Sequence, residues 1–357
     1  MNEYLEFLFG IYVVDFTAYF GYFLACVVLL FVIMRLNASL KLLDVPNDRS
    51  SHSRPTPSGG GLAIVIIILA ANWKVFLECP EFLAGGLAIA AVGLADDIKK
   101  LPVMPRLLTQ IAFAGLLVLL LPARGPIVGI PMWIIKAILI PAGVWFINVY
   151  NFMDGIDGLA GGYANAAAAG FLFCIHNNAL LVESWNIEVY RQIFYVTMAF
   201  LIFNWSPAKI FMGDTGSTFL GFVFFSLGAR SLILGNYAIY AFVIIMSFFW
   251  IDATITLARR YRAGARIFQA HREHAFHKAS AIFGHWKVTC FMITVTLFWL
   301  NPMARLAVTH VKLAPLLTLL AVMPVLTAIV MFNPGSPSQG YVSRLMDRRL
   351  KKEAHGA

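Results

Sequence analysis

The chain has 357 residues, of which 60% are hydrophobic and only 13% charged, and its mean hydropathy is +0.78. A soluble domain of this length needs far more polar surface, so composition excludes that class and implies an integral membrane protein of many helices. The net charge of +9 lies mostly between apolar stretches, a placement that follows a membrane better than a nucleic acid. Cys26, Cys79, Cys174 and Cys290 are scattered, with no metal-ligand or redox-motif spacing.

Residues 1–10 carry Glu3 and Glu6 and no basic residue, unlike the positive start of a signal peptide. The first apolar stretch is therefore expected to be a retained helix. Apolar runs near the ~20-residue length that a bilayer demands fall at 16–34, 60–77, 82–94, 107–121, 132–150, 159–176, 190–205, 217–234, 237–257, 288–300 and 313–332. The expected fold is an all-α polytopic membrane protein of about eleven transmembrane helices. It forms one transmembrane domain over 1–333, with a basic tail over 334–357. Small residues concentrate in 160–170, where helices can approach closely.

Basic residues set the orientation. With the N-terminus outside, the odd-numbered gaps and the tail hold twenty lysines and arginines, among them Arg49, Lys99, Lys100, Arg106, Arg259, Arg260, Arg262, Arg266 and Arg272. The opposite side holds six, with Lys136 just inside a helix and able to snorkel outward. The C-terminus is then cytoplasmic.

With that orientation, the unusual polar residues sort onto one face, from five segments. The first, 44–61, reads DVPNDRSSHSRPTPSGGG and contains Asp44, Arg49 and His52. The second carries Asp96 and Asp97 before two lysines. The third, 148–159, reads NVYNFMDGIDGL, with Asn148, Asn151, Asp154 and Asp157. The fourth, 204–217, reads NWSPAKIFMGDTGS, with Asn204, Phe211 and Asp214. The fifth is basic and ends in His271, Arg272, His274 and His277. The two aspartates of the Asp-Gly-x-Asp-Gly turn carry a desolvation cost at a membrane edge unless cations offset it. The histidines, three apart, occupy about a third of a helix circumference. Gly59, Gly60 and Gly61 suit either a phosphate-binding helix start or a tightly packed one. Carboxylates beside a cationic loop suit Mg²⁺ held together with a substrate diphosphate.

In that order, these motifs resemble the polyprenyl-phosphate N-acetylhexosamine-1-phosphate transferase superfamily, glycosyltransferase family 4, over 44–277. The resemblance implies Asp214 as the metal-binding aspartate and Asp154 and Asp157 at the metal and the nucleotide. It implies Asn204 and Phe211 at the nucleoside, and Asp96 and Asp97 near the incoming lipid phosphate. Asp252, seven residues before Arg259, matches a late-helix aspartate of the family. The histidine run is closest to initiators of O-antigen assembly and departs from the consecutive histidines of the muramyl-pentapeptide enzymes.

The expected activity is transfer of an N-acetylhexosamine-1-phosphate from a UDP-sugar to undecaprenyl or another polyprenyl phosphate, releasing UMP. Mg²⁺ is the expected cofactor, with Mn²⁺ as a substitute. The expected catalytic residues are Asp96, Asp97, Asp157, His271 and His274, with Asp214 and Asp154 on the metal. Substrate contacts fall to Asp44, Arg49, His52, Asn148, Asn151, Asp154, Asn204, Phe211 and Arg272. The expected location is the bacterial inner membrane, with the site facing the cytoplasm. The partners are the UDP-sugar, the polyprenyl phosphate and membrane lipid, with no nucleic acid; a homodimer is compatible. Two rivals are a phospho-N-acetylmuramoyl-pentapeptide transferase and an anionic-substrate transporter. The transporter would place its ionisable residues near the bilayer midplane, whereas here they gather at helix ends.

Overall fold

A computed structural model describes residues 16–40, 42–44, 55–73, 79–122, 130–176, 184–233, 238–265 and 271–336. Arg49, His52, Arg266 and the tail beyond 336 lie outside the described residues. The helices in chain order are α1 (Phe16–Leu40), α2 (Gly61–Ala71), α3 (Pro80–Lys99), α4 (Val103–Leu120), α5 (Met132–Phe152), α6 (Leu159–Ile175) and α7 (Ser184–Asn204). They continue with α8 (Gly213–Ile233), α9 (Ala238–Ile245), α10 (Ser247–Arg262), α11 (Ala275–Phe283), α12 (His285–Val295), α13 (Asn301–Thr309) and α14 (Ala314–Met331). A π-helical turn, Thr296–Leu300, joins α12 to α13.

Each apolar run expected to span contains a helix among its described residues, but the count of eleven spans is not reached. Among the described residues, six helices are long and apolar enough to cross a membrane, or seven if α9 and α10, bent by 66°, form one broken span. The shortfall has two causes. Helices α2 and α6 are only 11 and 17 residues long, short of the ~20 that a bilayer requires. Helices α3 and α7 carry charges along their lengths, Glu81, Asp96, Asp97 and Lys99 in α3 and Glu188 and Arg191 in α7. Among the described residues the protein is an all-α membrane protein apart from one two-residue ladder and a bridge at Ile130. In the ladder β1 (Leu43–Asp44) pairs antiparallel with β2 (Thr56–Pro57), drawing together the two arms of the first polar loop.

Helix α8 is the hub. It packs against α3, α5 and α2, and 94% of its apolar window is buried, against 17% for α1 and 22% for the last span. Its sequence explains how a helix with so many hydroxyls can sit inside. Thr218 and Ser226 donate to the carbonyls of Asp214 and Phe222, both at 2.6 Å, so these two hydroxyls need no partner outside the helix. The small residues bring backbones together. A Cβ on Gly61 would lie 2.2 Å from Gly216 Cα, so α2 and α8 touch backbone to backbone.

The same contact decides between the two readings of these glycines. The N–H groups of Gly60 and Gly61 donate to the carbonyls of Phe211 and Met212 at 2.8 and 2.9 Å. They dock the fourth polar segment onto the start of α2 and do not offer an anion site.

Gly61→Ala should therefore lower the thermal midpoint in detergent, at a cost of about 1–3 kcal/mol for overpacking. Gly21→Ala, on α1 where an added Cβ meets nothing within 4 Å, should leave the midpoint unchanged. Scanning fluorimetry of both variants checks this.

Candidate active site

The polar segments converge at one end of the bundle because α8 starts there. Gly213 opens the helix at φ +76°, and a Cβ on it would strike the Asp97 carboxylate at 2.6 Å. That carboxylate accepts the N–H groups of Asp214 and Thr215 at 2.8 and 3.0 Å and the Thr215 hydroxyl at 2.6 Å. Asp97 thus caps α8 from the end of α3, where a helix N-terminus favours negative charge.

Next to it, Arg106 from α4 bridges two carboxylates. Its Nη1 lies 3.1 Å from Asp96 Oδ2 and 3.0 Å from Asp214 Oδ2. Asp96 is buried and also accepts the Leu101 N–H at 2.5 Å. Sequence reading missed this role for Arg106, counting it only as one of many inner-side cations. Its place ten residues after Asp96, beyond a turn that returns the chain to α4, was the available signal.

Asp154 lies in the loop after α5, half-buried. Among the described residues its carboxylate has no hydrogen-bond or ion-pair partner. Burial raises its pKa well above the ordinary carboxylate value, and the charges of Asp214, Asp97 and Asp157 raise it further. Asp157 behaves oppositely. Burial alone would raise it, but the hydrogen bond and charge of His285, with help from Ser206 and the Ala208 N–H, outweigh burial and hold it low. Its Oδ2 is 3.4 Å from His285 Nδ1 and 3.3 Å from the Ala208 N. His285, at the start of α12, was not among the expected residues; it follows the histidine run by eight positions and lies in another helix.

The asparagines serve as ties between segments. Asn204 is buried; its Oδ1 accepts the Gly158 N–H at 3.0 Å and its Nδ2 donates to the Ile210 carbonyl at 2.8 Å. Both ends of the amide are engaged, linking the third polar segment to the fourth. Asn151 Oδ1 accepts the Ser217 hydroxyl at 2.8 Å, and Asn148 Nδ2 donates to Gln110 Oε1 at 2.6 Å across α5 and α4. Phe211 is half-buried in the fourth segment, with its N–H on the Pro57 carbonyl at 2.8 Å. Asp44 lies in the β-ladder opposite Thr56, and Arg272 is exposed.

The histidine run is not one helix. Asp252 of α10 accepts the N–H groups of Ala275 and Phe276 at 2.9 and 3.2 Å, which sets the start of α11 at Ala275. His271 therefore lies outside the helix and stacks on His274, with ring centroids 4.9 Å apart. His274 Nδ1 lies 3.5 Å from Asp252 Oδ1. His277, in the first turn, abuts the aspartate loop: a Cβ on Gly155 would come within 2.5 Å of its Nε2. The structure thus brings Asp96, Asp97, Asp154, Asp157 and Asp214 to one end and lays the histidine segment against them.

An apolar cleft of about 490 Å³ between α4, α5 and α10 runs to this end. Leu107, Ile140, Trp145, Phe152 and Leu257 line it, and Arg106 and Asn148 supply its polar members.

The sequence profile of glycosyl transferase family 4 matches residues 80–232, from the start of α3 to the end of α8. A probable undecaprenyl-phosphate N-acetylglucosaminyl 1-phosphate transferase of Bacillus subtilis is 27% identical over 269 residues, covering 70% of this chain and 73% of that protein. A decaprenyl-phosphate N-acetylglucosaminephosphotransferase of Mycobacterium leprae is 29% identical over 283 residues, covering 67% of this chain and 70% of that one. A phospho-N-acetylmuramoyl-pentapeptide-transferase of Chlamydia pneumoniae is 30% identical, but over only 46% of this chain and 56% of its own length. The family 4 match contains Asp96, Asp97, Asp154, Asp157 and Asp214, the carboxylates gathered around the start of α8.

The half-buried histidines His271 and His277 make the site sensitive to acid. Burial and then the charge of His274 lower His277 to about 3, and burial, His274 and Arg260 lower His271 to about 4. An unfolded imidazole titrates near ~6.5, so between these values the unfolded chain binds more protons than the folded one. Stability from these two residues is therefore undiminished above about pH 6.5 and falls as pH drops below it. The thermal midpoint should fall between pH 7.5 and 5.0, and His277→Gln should shrink that fall relative to the parent chain.

Proposed function

We propose that this protein transfers an N-acetylhexosamine-1-phosphate from a UDP-sugar to a polyprenyl phosphate at the cytoplasmic face of the bacterial inner membrane. The observation that carries the reading is the meeting of an apolar cleft with a carboxylate cluster at Arg106. A lipid tail fits the cleft between α4 and α5, and its phosphate would then arrive beside Asp96 and Asp214. The names of the B. subtilis and M. leprae relatives support this chemistry and favour N-acetylglucosamine as the donor sugar. The concentration of basic residues on the same side supports a cytoplasmic site.

In the proposed reaction an oxygen of the lipid phosphate attacks the sugar-bearing phosphorus of the donor. The bond from that phosphorus to the bridging oxygen breaks, its electron pair leaves with UMP, and the sugar phosphate ends on the lipid. A phosphomonoester has a second pKa near ~6 and is already mostly dianionic at neutral pH. The acceptor thus needs placement more than deprotonation. Asp96, occupied by Arg106 and the Leu101 N–H, suits a positioning role for the guanidinium that would meet the lipid phosphate. Asp157, engaged by His285 and the Ala208 N–H, is a poor covalent nucleophile, which favours a single displacement.

Among the described residues no three carboxylate, thiol or imidazole groups form a metal site by themselves. Mg²⁺ commonly takes one or two carboxylates plus substrate phosphate oxygens. The unpartnered Asp154, facing the charge of Asp214, fits that demand. Asp214 and Asp154 would hold the ion, which when bound would neutralise charge on the donor diphosphate. Asp97 would fix Asp214 by capping its helix, and His277 would close the aspartate loop from the other side.

The test is UMP release from purified protein with UDP-N-acetylglucosamine, undecaprenyl phosphate and Mg²⁺. Asp214→Asn should lower kcat by about 100-fold or more while the protein keeps its thermal midpoint. UDP-N-acetylmuramyl-pentapeptide should give no useful rate; preference for it would overturn the donor reading. Near-normal turnover of Asp214→Asn would overturn the assignment of the site.

A further inference from the structure

A second cleft lies on the other side of α10, away from the one that ends at Arg106. It encloses about 380 Å³ between α10, α11, α12 and α14, within the ~300–1,000 Å³ range of small-ligand sites. Its wall is apolar, formed by Phe248, Phe276, Phe283, Phe291, Met292 and Ile329. Asp252 borders it, but that carboxylate is already engaged by the Ala275 and Phe276 N–H groups and the Thr256 hydroxyl. The remaining polar member is Lys287. It is exposed, sits 5.6 Å from the Trp286 ring, and among the described residues pairs with no carboxylate.

The position of the cleft limits its occupant. Helices α12 and α14 belong to candidate membrane spans, His285–Thr309 and Val311–Met331, and Lys287 lies in the first turn of the former. A tryptophan beside a lysine at the end of a span is typical of the membrane–water interface. At that depth an apolar slot opens toward acyl chains, and a cation at its polar end faces lipid phosphates. We propose that this cleft binds one anionic phospholipid, an acyl chain lying between α11, α12 and α14 and the phosphate on Lys287.

The bound lipid would also brace the active site. Phe276 and Ala279 of α11 line the cleft, while His277 on the same helix abuts Gly155 of the aspartate loop. Filling the slot holds α11 against α10, and with it the histidine segment.

Native mass spectrometry of the full chain, released from micelles doped with dioleoyl phosphatidylglycerol, tests the site without any enzymatic readout. The parent chain should retain one phosphatidylglycerol in preference to phosphatidylcholine. Lys287→Glu, an exposed change that leaves the packing intact, should weaken that retention by about tenfold. Ala328→Phe, which fills the slot, should remove the bound lipid whatever its headgroup. Retention unchanged in both variants overturns the proposal, as does loss of the bound phosphatidylglycerol on adding undecaprenyl phosphate, which would make this slot the acceptor's own groove. Neither result depends on whether the transferase assay succeeds.

Discussion

Carboxylates at the edge of a bilayer are costly to desolvate, and here they crowd around the first turn of one buried helix. The structure offsets that cost unevenly. Asp97 takes three donors from the start of α8, and Asp96 and Asp214 share the guanidinium of Arg106. Asp157 has His285 and a backbone N–H. Asp154 has none of these, and its pKa is pushed up by burial and by its acidic neighbours. Among the described residues that imbalance is what the proposed cation would offset, beside the cleft that meets the carboxylates at Arg106.

The rest of the bundle serves to bring α8 to this point. Glycines on α2 and α8 let the backbones meet, the Gly60 and Gly61 amides seat the fourth polar segment, and Asn204 ties that segment to the aspartate loop. Asp252 starts α11 so that His277 reaches Gly155. Each tie joins elements far apart in sequence, so the site forms only when the whole membrane domain has packed. On the proposed reading, the cleft ending at Arg106 delivers the lipid and the unpaired Asp154 awaits the cation and diphosphate.

The helices were legible because apolar runs of near-membrane length say little else, and each of the eleven runs contains a helix among its described residues. The number of spans was not, because α2 and α6 are short and α3 and α7 carry charge, so length and apolarity alone do not decide them. The convergence of the five aspartates was legible from their shared side. Their individual roles were not, because a cap and a ligand look alike in sequence. Asp97, expected as catalytic, also caps a helix, and Asn204, expected at the nucleoside, also links two loops through the two ends of its amide. Arg106 and His285 were missed as candidate site residues, since each is brought in by a turn of the fold and neither belongs to a motif. The three-residue spacing of the histidines suggested one helical face, but the Asp252 cap begins the helix after His274.

Manganese is the direct probe of the central claim, because its electron paramagnetic resonance separates bound from free ion at equilibrium. The account predicts that UDP makes the protein bind about one Mn²⁺, as expected for an ion sharing carboxylates with substrate oxygens, and that Asp154→Asn abolishes this while the protein stays folded. Undiminished UDP-dependent Mn²⁺ binding in both Asp154→Asn and Asp214→Asn would contradict it.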